Sequence, residues 1–169
     1  MTNRREIVHT RRNVEDYDDP YISDEHLEDN TVCKKCGDVY MAGRWYAKDQ
    51  IGEKRPTGEP VFLAQCPACA KQRDRFPEGI VRITGNFFLS HEDEVLNLIR
   101  NEVERAQSAN PLERLVSIES SPEAIEVSTT NEKLAQRIGK ALHKAYAGEI
   151  EYKWSGDTKL TRVNWHRDL

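Results

Sequence analysis

The sequence predicts an α+β protein built from an N-terminal disordered arm, a zinc ribbon or treble-clef-like module, and a β-α-β-β-α-β-β sandwich. Three observations predict this organisation. The first thirty residues are mostly charged and polar, and two Cys-x-x-Cys pairs follow them. Beyond residue 78, apolar residues recur either alternately or three and four apart, as in strands and helices. We therefore divide the chain into residues 1–30, 31–78 and 79–169.

The composition is that of a protein with a large hydrated surface. Of 169 residues, 32% are charged and 37% hydrophobic, with a formal net charge of −4. No apolar stretch has the length of a membrane-spanning helix, and no signal-like apolar segment follows Met1. We therefore expect a cytoplasmic protein without a membrane partner. Basic residues concentrate in 33–82, where ten basic and six acidic residues give a net charge of +4.

The first part, residues 1–30, is a charged arm. Arginines near its start are followed by an acidic run between residues 15 and 29. Such a segment has too few apolar residues to offset the entropy of ordering, so we expect it to be disordered. It is either a solubilising tail or an arm that orders on a partner, with Tyr17, Tyr21 and Ile22 as anchors.

The second part, residues 31–78, contains all four cysteines: Cys33, Cys36, Cys66 and Cys69. Two residues separate the members of each pair, which lets two thiolates from a tight turn bind one cation. We predict one structural Zn²⁺, with backbone N–H groups donating to the first sulfur. Gly37 supplies the backbone angle that closes the first turn, and the second pair leads directly into a helix.

Other uses of these cysteines are possible. Paired disulfides suit a secreted chain, and a dithiol redox centre needs one pair in a thioredoxin-like context. His26 could compete as a ligand, but it lies in the acidic segment. A closed shell of four thiolates leaves no position for water or substrate, which favours a structural metal.

Two apolar segments, 39–46 and 61–64, lie between the cysteine pairs. They predict two short strands joined by a long polar loop, as in a zinc ribbon. Cations beside aromatic rings are typical of modules that bind phosphates and unpaired bases. Alternatively, Trp45 closes a small core. The predicted RNA-binding residues of this part are Lys34, Lys35, Arg44, Trp45, Arg73 and Arg75.

The third part, residues 79–169, predicts a sheet with both helices on one face. It begins with a strand over 80–84 and a helix whose N-terminus is capped by Ser90. Strands over 114–119 and 124–129 follow. Thr129 and Glu132 form a capping-box pattern that starts a second helix, which Gly148 ends. Two further strands complete the chain.

The second of these helices carries four basic residues, Lys133, Arg137, Lys140 and Lys144, spaced four, three and four apart. This spacing places them in one stripe. Because like charges in a stripe repel one another, the pattern indicates a polyanionic partner, and we predict that all four contact RNA. An ordinary solvated helix face is the other interpretation.

Short motifs occur along the whole chain. They are Asp19-Pro20-Tyr21, Cys33-Lys34-Lys35-Cys36-Gly37, Gly43-Arg44-Trp45, Cys66-Pro67-Ala68-Cys69, Arg100-Asn101-Glu102 and Thr129-Thr130-Asn131. Through them the chain resembles a bacterial family of small zinc-ribbon proteins. Residues from 80 onward also resemble a domain of the Nmd-three family, an adaptor of the large ribosomal subunit. That likeness rests on 116–119, 125–130, the apolar pattern of 134–142, and 162–165.

The resemblance implies a protein that binds the ribosome or structured RNA. Nmd-three proteins also place cysteine pairs before the domain, but they carry more pairs than the two found here. Five histidines are scattered along the chain, without a phosphate-binding loop or a nucleophile motif. We therefore expect no enzyme activity and no small-molecule substrate.

Together these patterns predict a non-enzymatic, zinc-containing RNA-binding protein. It associates with the ribosome or ribosomal RNA, as an assembly, hibernation or quality-control factor. The alternative is a protein–protein interaction adaptor that uses the acidic arm and the zinc module.

Overall fold

The computed structural model describes residues 20–21, 27–52, 55, 58, 61–155, 157 and 159–169. Most of the predicted N-terminal arm, with Tyr17, Ile22 and His26, lies outside these residues. Within the described part, the chain forms two sheets and five helices. The predicted mixed α+β class is confirmed.

The first sheet belongs to the cysteine-containing part and has four short strands. They are β1 (Thr31–Cys33), β2 (Val39–Met41), β3 (Arg44–Tyr46) and β4 (Phe62–Ala64). Their order is β3-β2-β1-β4, in which β4 runs parallel to β1 and the other pairs are antiparallel. Strand β4 therefore lies at one edge of this sheet.

The segment 39–46, predicted as one strand, is instead a hairpin of β2 and β3. Ala42 and Gly43 separate the strands and have φ values of 48° and 83°. Positive φ at both central residues is the geometry of the two-residue turn that joins twisted antiparallel strands. A short helix, α1 (Lys48–Ile51), follows in the predicted polar loop and buries Ile51.

Helix α2 (Pro67–Asp74) begins directly after the third cysteine, as predicted. Proline at the first helical position is compatible with a helix start because its missing N–H has no intrahelical partner there. The helix ends at Arg75, whose φ of 51° is left-handed.

The second sheet has five strands in the order β6-β7-β5-β9-β8. Strands β5 and β9 are parallel, and the remaining pairs are antiparallel. The strands are β5 (Gly79–Thr84), β6 (Leu115–Ser120), β7 (Ile125–Thr129), β8 (Glu149–Trp154) and β9 (Thr161–His166).

Three helices accompany this sheet: α3 (Asn86–Ser90), α4 (Glu92–Ala109) and α5 (Glu132–Tyr146). The short helix α3 was not predicted. Across the described residues, no helix combines the length and apolarity needed to cross a membrane.

One face of the five-stranded sheet forms the main core. In register, Val81 lies beside Val127 and Val163, and all three are fully buried. Apolar residues of α4 and α5, such as Ile99 and Ile138, pack into the same core. Both long helices therefore cover one face. The opposite face is mainly polar, and the register places no Phe, Tyr or Trp of the described strands on it.

Both predicted helix caps are wrong in detail. Ser90 is the last residue of α3, and α4 begins after His91, which makes no side-chain cap. The cap of α5 is Asn131, whose side-chain oxygen accepts from the Leu134 N–H at 2.9 Å. The Thr129 hydroxyl instead donates to the Asn131 carbonyl. Asparagine satisfies the free N–H at the helix start as well as threonine does.

Candidate metal centre

The four cysteines converge at the junction of β1 and α2. Cys33 is the last residue of β1, Cys36 lies in the following turn, and Cys66 and Cys69 lie at the N-cap and in the first turn of α2. All four sulfurs lie within 4.8 Å of one another, and Cys36 and Cys66 are 3.8 Å apart. Every cysteine of the chain is free, so no disulfide competes for the sulfurs.

Backbone N–H groups point at the sulfurs, as the spacing predicts. The Cys66 N–H donates to the Cys33 sulfur at 3.3 Å, and the Cys69 N–H donates to the Cys66 sulfur at 3.4 Å. Gly37 has a φ of 81°, which side chains rarely adopt, and its N–H donates to the Cys33 carbonyl. Backbone donors from the second pair therefore contact the Cys33 and Cys66 sulfurs.

The pKa values of the cysteine thiols differ within the site. Burial opposes ionisation of Cys33, but backbone N–H groups of Cys36, Cys66 and Lys35 outweigh it and lower its pKa to about 6. Burial raises the pKa of Cys36 to about 11. Burial also raises the pKa of Cys66. The Cys33 thiol therefore ionises more readily than the Cys36 and Cys66 thiols.

Arg114, just before β6, contacts this cluster from the third part of the chain. Its Nη1 donates to the Cys69 sulfur at 3.1 Å, and its Nη2 donates to the Cys36 sulfur at 3.3 Å. The same Nη2 binds the Asp38 carboxylate at 2.7 Å. Burial opposes the charge of Arg114, but the neighbouring sulfurs outweigh it and raise its pKa. No local sequence pattern indicates this contact.

The donor set fits a tetrahedral soft cation. Four sulfurs at about 2.3 Å from one metal ion lie roughly 3.8 Å apart, which the separation of Cys36 and Cys66 matches. Three of the cysteines are buried, in a cluster that also contains Trp45 and Ala68. We call these five buried residues the metal-site cluster. The four cysteines are therefore close enough to hold one metal ion.

The four predicted RNA-binding residues between positions 34 and 45 differ in exposure. Lys34 and Lys35 are exposed in the turn between the first two cysteines. Arg44 is exposed, and its guanidinium lies 4.8 Å from the centre of the Tyr46 ring. Trp45, only 6% exposed, packs in the metal-site cluster with its ring edge against Tyr40. Its ring cannot stack on a base in this conformation, and it closes the small core instead.

The two predicted basic residues at the end of α2 also differ. Arg73 is paired: its guanidinium binds the Asp74 carboxylate at 2.7 Å and donates to the Gln65 side chain at 2.6 Å. Arg75 is exposed beyond the helix. Arg73 therefore offers a phosphate less charge than an unpaired arginine would.

The predicted stripe on α5 lines a single groove of about 470 Å³ between α4 and α5. We call it the basic groove. Arg137 is paired with Glu102 at 2.9 Å. Among the described residues, the three lysines have no carboxylate partner. The residues that line the basic groove are Glu102, Lys133, Gln136, Arg137, Lys140, Ala141 and Lys144.

A buried ion pair joins α2 to the five-stranded sheet. Lys71 Nζ lies 2.8 Å from Glu78 Oε1, and both side chains are at most 7% exposed. Lys71 also donates to the Thr130 carbonyl at 3.3 Å. The Gln72 side chain donates to the Leu115 carbonyl of β6 at 2.8 Å. These contacts attach the cysteine-containing part to the edge of the second sheet.

Comparisons with known proteins give no family for this chain. Protein-family models, curated proteins and solved structures were all compared with it, and none matches. The resemblance to the bacterial zinc-ribbon family and to the Nmd-three domain therefore stays a prediction from the sequence. The function must be inferred from the geometry of the chain itself.

Proposed function

We propose that this protein is a non-enzymatic RNA-binding protein that holds one structural Zn²⁺ and contacts RNA phosphates through the basic groove. The observation that carries the proposal is the convergence of Lys133, Arg137, Lys140 and Lys144 on one groove that contains a single carboxylate. The partner expected from the sequence resemblance is the ribosome or ribosomal RNA. No small-molecule substrate is expected.

Zinc is the metal that this donor set favours. Four thiolates with tetrahedral spacing suit Zn²⁺, which has no redox chemistry and closes its shell with four ligands. Metal analysis of the purified protein tests this assignment, and the expected result is one zinc per chain. Substitution by Co²⁺ should give the visible absorption of a tetrahedral thiolate site. Iron in place of zinc, or no bound metal, would contradict the assignment.

The dimensions of the basic groove suit a nucleic-acid backbone. With a rise of about 1.5 Å per residue, Lys133 and Lys144 are separated by about 16 Å along α5. Each strand of a duplex presents a phosphate roughly every 3.4 Å along the axis, so several phosphates lie within this reach. The groove contains no aromatic residue, and the described open sheet face has no Phe, Tyr or Trp. Binding through phosphates alone gives little sequence preference.

Charge reversal tests the basic groove. We expect Lys140→Glu/Lys144→Glu to lower affinity for purified ribosomal RNA at least tenfold at 0.1 M salt, measured by fluorescence anisotropy. Four phosphate contacts predict a slope of about −3 in a plot of log affinity against log salt, and losing two should halve that slope. Zinc content should not change.

A matched control variant lies on the open sheet face. Lys153 and Arg162 are exposed and directly opposite each other on β8 and β9. Reversing both changes the net charge of the protein by the same amount. We expect RNA affinity to change at most threefold, because charges more than about 10 Å from the bound RNA are screened at this salt concentration. Equal losses of RNA affinity in the two double variants would refute the basic groove as the binding site.

Sedimentation tests the ribosomal partner. Lysate is run through a sucrose gradient at low and high salt, and the protein is followed by immunoblot. We expect co-migration with a ribosomal particle at low salt and release at high salt. A protein that stays in the light fractions under both conditions would argue against the ribosome.

A protein-interaction adaptor is the second candidate, and one observation favours it. Val61, Phe62 and Leu63 are 52%, 45% and 64% exposed on and beside the edge strand β4. Exposed apolar edge strands are docking sites for extended segments of other proteins. Such an interface depends little on salt. If Phe62→Ser/Leu63→Ser abolishes partner capture while Lys140→Glu/Lys144→Glu does not, the adaptor is the better proposal.

A further inference from the structure

We infer that Arg114 is a positioning residue of the metal centre, through which metal binding and the docking of the two sheets stabilise each other. The inference rests on the proposed metal site. It adds a residue from outside the cysteine-containing part, so that the centre is complete only when the five-stranded sheet is docked against it.

Each of the three nitrogens of the Arg114 guanidinium has a partner at the junction. Nη1 binds the Cys69 sulfur, and Nη2 lies 3.3 Å from the Cys36 sulfur and 3.7 Å from the Cys66 sulfur. Nε donates to the Pro111 carbonyl at 2.7 Å. The Asp38 carboxylate, at 2.7 Å from Nη2, holds the fork in this orientation. The side chain is only 12% exposed, so this geometry is shielded from water.

The charge of the loaded centre explains what Arg114 contributes. Four thiolates around one divalent cation carry an excess of two negative charges. A buried guanidinium that donates to three of these sulfurs compensates part of that charge through charge-assisted hydrogen bonds. Metal binding requires all four sulfurs to be deprotonated, so the loaded centre carries more negative charge beside Arg114 than the metal-free cluster does. Arg114 therefore stabilises the loaded centre more than the empty one.

The backbone of Arg114 transmits this preference to the second sheet. Its N–H donates to the Thr130 hydroxyl and its carbonyl accepts from the Thr130 N–H, both at 2.9 Å. Thr130 also accepts from Lys71 of α2. These contacts hold the Arg114 backbone on the five-stranded sheet, so its guanidinium reaches the sulfurs only when that sheet is docked. Because coupling between two binding events is reciprocal, docking must strengthen metal binding as much as metal strengthens docking.

The first test measures zinc affinity of the full chain by competition with a chromophoric chelator. We expect Arg114→Met, which keeps most of the unbranched stem but loses the donors, to weaken zinc binding by about 10–100-fold, as for other partners of metal ligands. The zinc affinity of Arg114→Lys should lie between those of Arg114→Met and the unaltered protein, because one ammonium group cannot reproduce the forked hydrogen bonds of a guanidinium. The lysine variant decides the outcome if the methionine variant does not fold.

Two control variants separate this role from general docking. Gln72→Ala removes an interface hydrogen bond without touching the sulfurs, and Arg100→Met removes an exposed arginine of α4. We expect both to keep zinc affinity within about threefold. If Gln72→Ala loses as much zinc affinity as Arg114→Met, docking of the two sheets alone sets that affinity. This result would overturn the role of the N–H···S contacts.

Two further readouts report on the sulfurs and on the interface. In the Co²⁺ form, loss of donors to sulfur should shift the sulfur-to-cobalt charge-transfer band to longer wavelength in Arg114→Met but not in Gln72→Ala. Zinc removal should increase hydrogen exchange in 112–118 and 67–74 of the unaltered protein, and to a smaller extent in Arg114→Met. Unchanged affinity and unchanged spectra in Arg114→Met would refute the inference. Failure of the unaltered protein to bind zinc would instead refute the proposed metal site.

Discussion

Substituting Gly139 by alanine should destabilise the protein, although alanine is the better helix former. Gly139 lies on the buried face of α5, where the helix crosses β9 and β8. An added Cβ would lie 2.6 Å from Val163 Cγ1 and 3.1 Å from Ile150 Cδ1. Val163 is fully buried and β-branched, so its methyl group cannot rotate away. The helix or the strand must shift instead.

Two opposing effects set the magnitude. Forcing an extra methyl group into a well-packed core costs about 1–3 kcal/mol. Replacing glycine by alanine inside a helix returns roughly 1 kcal/mol. Because carbon atoms in ordinary contact are about 3.5–4 Å apart, the 2.6 Å approach places the cost in the upper half of its range. We expect a net loss of about 1–2 kcal/mol and a fall in Tm of roughly 2–8 °C.

Denaturant unfolding at fixed zinc concentration measures this loss, since bound metal adds to stability. The control is Ala145→Gly on the exposed side of α5, which should cost about 1 kcal/mol through helix propensity alone. The double variant Gly139→Ala/Val163→Ala should lose less than the sum of the single variants, by about 1 kcal/mol, because the new methyl group fills the space left by the valine. A Gly139→Ala variant as stable as the original protein would refute the close packing of α5 on the sheet.

Three further predictions concern the metal-binding part and the C-terminus. Chelation of the metal should shift Trp45 fluorescence to longer wavelength, because the ring is buried in the metal-site cluster, and Trp45→Phe should remove that shift. Lys71→Met should lower the free energy of unfolding by about 3–5 kcal/mol, measured in urea, because it removes a cationic partner from the buried Glu78 carboxylate. Lys71→Met/Glu78→Gln should recover part of the loss. The Asn86 backbone N–H lowers the pKa of Asp168. The contact should therefore contribute fully to folding stability above about pH 5, and this contribution should be lost as the pH falls below roughly 4. NMR titration of the Asp168 carboxyl can follow this change.

Local patterns predicted the features whose residues lie close together in the sequence. The spacing of the cysteines placed Cys33 and Cys36 on one turn, and the structure adds that this turn follows a strand. Apolar residues three and four apart predicted the buried faces of α4 and α5. Each of these signals depends on backbone geometry over a few residues, which sequence alone specifies.

Features that depend on long-range packing could not be predicted in this way. Arg114 approaches the Cys36 sulfur across 78 positions of sequence, and Lys71 approaches Thr130 across 59. Nothing next to either residue distinguishes it from a surface cation. Gly139 lies inside helix α5, where glycine normally weakens a helix. The close approach of Val163 explains why glycine occupies this position.

The predicted RNA-binding residues fall into two groups, one around the cysteines and one in the basic groove, that differ in exposure and in pairing with carboxylates. Around the cysteines, Trp45 is buried and Arg73 is paired with a carboxylate, so Lys34 and Lys35 remain the exposed cations of the first turn. Arg44 and Arg75 are exposed as well, at the start of β3 and just beyond α2, so the exposed cations of this part are spread over three places. The basic groove extends over three turns of α5 and keeps three lysines without a carboxylate partner among the described residues. If zinc affects RNA binding, it should therefore act mainly by fixing the fold, and a zinc-free protein whose five-stranded sheet stays folded should retain most of its affinity for RNA.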